Sequence, residues 1–126
     1  MELYEFFKSV LDQDLASVVL CDRNHTILYM NPAAIRNYAK RGGAALIGQN
    51  LLACHNPRSQ ERIQRTLAWF EESPDHNRIF ELHQEKDNRD VYMIALRNNS
   101  GELIGYYEKH EYRNPETARP FDFGNE

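Results

Sequence analysis

Two cysteines and five histidines are the side chains of this 126-residue chain best suited to ligating a metal, relaying a proton or attacking an electrophile. Only Cys54 and His55 are adjacent; His25, His76, His83 and His110 are dispersed. No His-x3-His or Cys-x2-Cys pair is present, so the spacing predicts no metal site. Cys54-His55 is not a covalent haem attachment either, because Leu51 stands where the first cysteine of Cys-x-x-Cys-His belongs. A Ser–His–Asp set could be assembled on paper, but no nucleophile sits on a strained turn or beside an obvious base. Glu71-Glu72 reads as the end of a solvated helix, and Trp69 beside Phe70 as a core or interface aromatic. The chain therefore reads as a binder and not as an enzyme.

The elements that must position Cys54 and His55 can be read around them. In residues 22–34, apolar runs flank a turn at Asp22-Arg23-Asn24-His25, and the second run meets Asn31-Pro32-Ala33-Ala34. Asn31 is a good helix N-cap and Pro32 suits the first helical position. Strands are expected at 17–22 and 26–31, with Asn24 taking the positive φ in the turn. A helix from Pro32 ends before Gly42-Gly43, and Asn56-Pro57 opens a longer one to Glu72, with Ile63, Leu67 and Phe70 as its apolar stripe. Three strands follow, near 77–86, 89–98 and 102–112. Asn88 suits a left-handed turn between the first two.

The fourth strand carries Val91, Met93 and Ala95 on one face and Tyr92, Ile94 and Leu96 on the other. An antiparallel sheet with one wet face should alternate, so both faces at the sheet centre call for cover. In the last strand, Leu103, Gly105 and Tyr107 are assigned to one face and Ile104, Tyr106 and Tyr112 to the other. Before all of this, Leu3, Phe6, Phe7, Val10 and Leu11 make one stripe of an amphipathic helix over residues 1–14. That stripe either packs across its own sheet or meets a partner.

The order of these segments resembles the PAS sensory family. Asp22, Ile27, Asn31 and Ala34 match its first hairpin and helix start, with His25 in place of the usual glycine. Leu46-Ile47-Gly48 resembles the Leu-x-Gly after the first helix, and Gly101 to Glu108 the last strand. The resemblance covers roughly residues 15–112. It implies an α+β fold with a five-stranded antiparallel sheet, short helices on one face and an N-terminal flanking helix outside. It also implies a dimer helix at 1–14 and a PAS domain at 15–113; residues 114–126 read as a flexible or loosely docked tail, in which Pro115 and Pro120 oppose the signalling helix that often follows the last strand in the family.

The resemblance bears on cofactors too. Light-sensing relatives use Gly-x-Asn-Cys to bond flavin; here Gly48-Gln49-Asn50 is followed by Leu51, so flavin is not expected. Haem relatives use a histidine on or near the long helix. Residues 57–72 contain none, which leaves Cys54 or His55 as the ligand to suspect. The run Cys54-His55-Asn56-Pro57-Arg58-Ser59 resembles a segment of bacterial PAS domains fused to haemerythrin-like modules. There, Cys54 and His55 form either a structural turn or a cavity wall meeting a small ligand.

Composition sets the frame. Net charge is −4 without a basic stripe, which argues against nucleic acid. No apolar run reaches the ~18 residues of a membrane span, and the acidic start is unlike a signal peptide. Two thiols in apolar surroundings fit a reducing cytoplasm. The expectation is a cytoplasmic, non-catalytic sensory or interaction module, working as a homodimer or with a separate signalling protein. The expected ligand pocket comprises Tyr38, Cys54, His55, Ile63, Leu67 and Met93. The expected dimer contact comprises Leu3, Phe6, Phe7 and Val10. A haem sensor and a ligand-free scaffold are the alternatives.

Overall fold

Buried Asn31 joins three of the first four elements of the fold. Its Oδ1 accepts from Ala34 N at 2.9 Å and from Val18 N at 3.0 Å, while Nδ2 donates to Ala16 O and Leu11 O, each at 2.9 Å. One side chain thus caps a helix, starts a strand and holds the end of the preceding helix. The structure, a computed structural model, describes residues 1–124.

Helix α1 spans Leu3–Gln13, strands β1 and β2 span Val18–Asp22 and Ile27–Met30, and α2 spans Pro32–Asn37. Short 3-10 turns follow at Ala39–Arg41, Gly43–Leu46 and Leu51–Cys54. Helix α3 (Pro57–Glu72) has Pro57 in its first turn and Asn56 Oδ1 accepting from Ser59 N at 2.9 Å. Strands β3 (Arg78–Gln84), β4 (Arg89–Arg97) and β5 (Leu103–Tyr112) complete an antiparallel sheet in the order β2-β1-β5-β4-β3. The last strand thus returns to pair with the first, and the helical crossover lies over one face.

Between sheet and helices the core gathers Val19, Cys21, Met30, Ala34, Ile63, Phe70, Met93 and Tyr106. Arg97 ties the end of α3 to the sheet, its Nη2 donating to Phe70 O at 2.7 Å and Ser73 O at 3.1 Å. A cation on the last carbonyls satisfies acceptors that the helix leaves open. Residues 114–124 form neither helix nor strand; residues 125–126 of the expected tail lie outside the described residues.

Three expectations are corrected. His25, not Asn24, takes the positive φ of the first hairpin, at 68°. Asp22 Oδ1 accepts from Asn24 N and Thr26 N, which locks the residues on either side, and the His25 ring is held by Tyr106. In β5 the faces shift: Leu96 pairs with Gly105 but Arg97 with Leu103, so Ile104 is an extra residue. This bulge places Leu103 and Tyr106 together in the core. Helix α1 does not bury its stripe across its own sheet, since it has no buried residue. The chain leaves it extended at Asp14 and enters β1 four residues later. The contacts that hold it come from its C-terminal half, with Lys8 Nζ 5.8 Å from the Tyr29 ring centre and Leu11 O bound to Asn31.

Candidate functional site: a cavity between helices and sheet

A cavity of about 60 Å³ lies between the sheet and the crossover. Its walls are mostly apolar, with Ile27, Met30 and Leu51 among them. Five polar side chains also face it. Tyr38 follows the end of α2, Arg41 ends a 3-10 turn, Cys54 and His55 end the turn before α3, and Glu108 comes from the middle of β5.

Tyr38 Oη donates to Glu108 Oε1 at 2.9 Å, and His110 Nε2 contacts the same oxygen at 2.7 Å. Burial alone would push the Glu108 carboxyl up. The hydrogen bond and charge of His110, then the Tyr38 hydroxyl and the charge of His55, outweigh it and hold the carboxyl below its usual range. Glu108 is therefore ionised at neutral pH, in a largely dry place. Tyr38 is pushed far up by burial and then by the Glu108 charge, so it acts as a donor. His55 Nδ1 lies 2.8 Å from Leu51 O. A carbonyl only accepts, so Nδ1 carries a proton. Arg41 is exposed at the mouth, where Nη1 donates to Cys54 O at 3.2 Å.

Beside the cavity, Tyr106 Oη lies 2.7 Å from His25 Nδ1. Burial pushes the neighbouring Cys21 thiol up to about 12, so Cys21 is a packing residue without thiolate chemistry.

Of the expected pocket residues, Tyr38, Cys54 and His55 are brought together on the cavity wall. Ile63 and Met93 pack in the core, and Leu67 against it; these three are not among the lining residues. Leu3, Phe6, Phe7 and Val10 are on the exposed face of α1. Sequence reasoning passed over Glu108 and Arg41 as site residues. The available signal for Glu108 is its parity with Tyr106 and His110, an acidic side chain inside an otherwise core-facing series. Arg41 had no such signal, because only the packing of its 3-10 turn brings it to the mouth.

The family model described as a PAS domain matches residues 15–108, and the chain belongs to that family. Solved structures agree on the fold. The PAS domain of a Colwellia psychrerythraea protein is 13% identical, with a TM-score of 0.66 over 89% of this chain and 98% of that one. The PAS domain of Bordetella pertussis BvgS is 17% identical, with a TM-score of 0.63 over 89% and 87%. A Vibrio cholerae receptor, Aer2, described as a dual PAS-heme oxygen sensor, is 20% identical, with a TM-score of 0.54 over 75% and 91%. No curated protein matches the chain. Domains of this family are generally sensory and belong to signal-transduction proteins. Among the described residues, no helix is long and apolar enough to cross a membrane.

Proposed function

We propose that this chain is a non-catalytic sensory module of the cytoplasm that holds a small ligand in the Tyr38–Glu108 cavity and works as a homodimer, or with a separate signalling protein. The observation that carries this reading is the single oxygen of Glu108 shared by Tyr38 from the helical layer and His110 from the sheet. A ligand competing for Glu108 has different contacts in the tied and released arrangements. Such a difference is what a population shift requires. The output surface in this reading is α1, where Leu3, Phe6, Phe7 and Val10 are 63%, 55%, 62% and 70% exposed. Apolar stripes of this kind mark interfaces.

Haem and flavin do not fit the cavity. Its volume of about 60 Å³ is well below the roughly 300 Å³ or more of cofactor sites. No step is assigned to either group.

Native mass spectrometry of the purified chain tests the reading, because it reports bound mass and subunit number together. The expected result is a dimer carrying a low-mass ligand, converted to a monomer by Phe7→Glu. A dimer with no added mass under any condition favours the ligand-free scaffold. A Phe7→Glu protein of unchanged mass in solution counts against α1 as the contact. A visible absorption band would overturn the exclusion of haem and flavin.

A further inference from the structure

We infer that the cavity takes a small organic cation, a protonated amine with roughly four to six non-hydrogen atoms, its ammonium seated on Glu108 Oε2. The inference rests on the sensory reading and names the ligand class of the same site. Both hydrogen bonds to Glu108 end on Oε1, and Oε2 has no hydrogen-bond partner among the described residues. Glu108 lines the cavity, which makes this open valence the charged acceptor available to a ligand. Lone pairs also remain on Tyr38 Oη, which donates its proton to Glu108, while His55 Nδ1 is committed to Leu51 O. Cys54 adds only a weak S–H, and the spare N–H groups of Arg41 lie at the exposed mouth, so the charged acceptor Oε2 selects a ligand that donates.

Charge separates an amine from an alcohol or an acid. A carboxylate ligand would set two anions side by side in a low-dielectric site, which is strongly unfavourable. The cations facing the site are few and differently placed. Arg41 stands exposed at the mouth, already bonded to Cys54 O, and water screens it. Arg89, near enough to act on Tyr38 through its charge, donates to Gln84 and lies 3.7 Å from Asp87, while its Nε is buried without a partner. His110 Nε2 is engaged with Oε1 at 2.7 Å. Oε2 is thus the anionic surface that a ligand meets. The remaining wall suits a short alkyl body. About 60 Å³ of open space, at roughly 10–15 Å³ for each water-sized group, sets the length.

The test titrates the full chain with n-butylammonium, 1-butanol and butyrate, three probes of nearly equal size, followed by calorimetry and by amide chemical shifts. Butylammonium is expected to bind and to move the shifts of Tyr38, His55 and Glu108, with affinity at least tenfold above the alcohol and the acid. Glu108→Gln is expected to lose about tenfold in affinity for butylammonium and to bind the alcohol no worse. Leu46→Phe, which narrows the cavity and leaves every charge in place, is expected to abolish binding; it decides the matter if Glu108→Gln does not fold. Equal binding of butanol or butyrate overturns the cation class, as does the absence of binding by all three. A native mass spectrum with a bound acidic or neutral compound overturns the cation class too, but leaves the sensory reading standing. An empty protein by both methods removes both.

Discussion

The Tyr38 hydroxyl and Glu108 Oε1 meet at 2.9 Å although the residues lie 70 positions apart in the chain. Each comes from a different layer, Tyr38 from the end of α2 and Glu108 from the sheet strand β5, so the bond ties the helical crossover to the sheet across the cavity. A hydrogen bond to a charged, half-buried carboxylate contributes about 1.5–3 kcal/mol.

That bond gives the fold an acid limb. Glu108 has a folded value held below its ordinary 4.5. Its contribution to stability is therefore complete above that value and is lost as pH falls through the folded one. In a Glu81→Gln background, which lacks the opposite pH trend of that carboxyl, urea midpoints should be level between about pH 7 and pH 5 and fall at lower pH. Tyr38→Phe should lower stability at pH 7 by about 2 kcal/mol and begin its acid decline at a higher pH. An acid limb identical to that of the parent chain would sink the assignment.

Capping asparagines should differ in cost. Asn56 is exposed and makes one cap bond, to Ser59 N, so Asn56→Ala should cost about 1 kcal/mol. Asn31 is fully buried and satisfies Val18, Ala34, Ala16 and Leu11. Asn31→Ala strands several of these groups without water and should cost about 3 kcal/mol or more. Chemical denaturation of the two variants side by side measures the gap; equal midpoints would contradict it.

Two glycines separate backbone strain from collision. A Cβ at Gly105 would lie 2.2 Å from Cys21 O, where β5 crosses close to β1. Gly105→Ala should prevent the β1–β5 pairing and leave little folded protein by circular dichroism. Gly101 has φ +84° in open space, so Gly101→Ala meets no atom and should cost only about 1 kcal/mol.

Glu81 carries the opposite sign to Glu108. Burial first, then the Glu108 charge, raises its carboxyl above the ordinary 4.5, against the pull of Arg62, His55 and His110. Its Oε2 is buried without a partner. Stability from this group is present below its ordinary value and is lost as pH rises through the folded one. Glu81→Gln should therefore stabilise at pH 7 by about 1 kcal/mol, or roughly 4 °C in melting temperature, with the gain vanishing near pH 4. A lower melting temperature at pH 7 would contradict this.

Local chemistry made much of the architecture readable. Asn31-Pro32 and Asn56-Pro57 start helices because an amide side chain and a fixed φ act within one turn, whatever lies around them. Asn88 adopts the left-handed turn, at φ 48°, for an equally local reason. Position 25 was readable only through the family's glycine, since the residue there has a side chain and its strain is held by Tyr106, 81 positions away.

The cavity was half legible. Tyr38, Cys54 and His55 stand near helix ends, where polar residues among apolar ones are visible in one dimension. Ile63, Leu67 and Met93 have the same apolar character as the residues lining this cavity, and periodicity cannot distinguish a filled core from an open one. Sequence alone determined the order of elements, the helix starts and the family, because these depend on neighbours within a few residues. Tertiary structure alone decided which side chains share the cavity, for two reasons. The Ile104 bulge shifts the faces of β5, and the pairing of β5 with β1 carries Glu108 over to Tyr38.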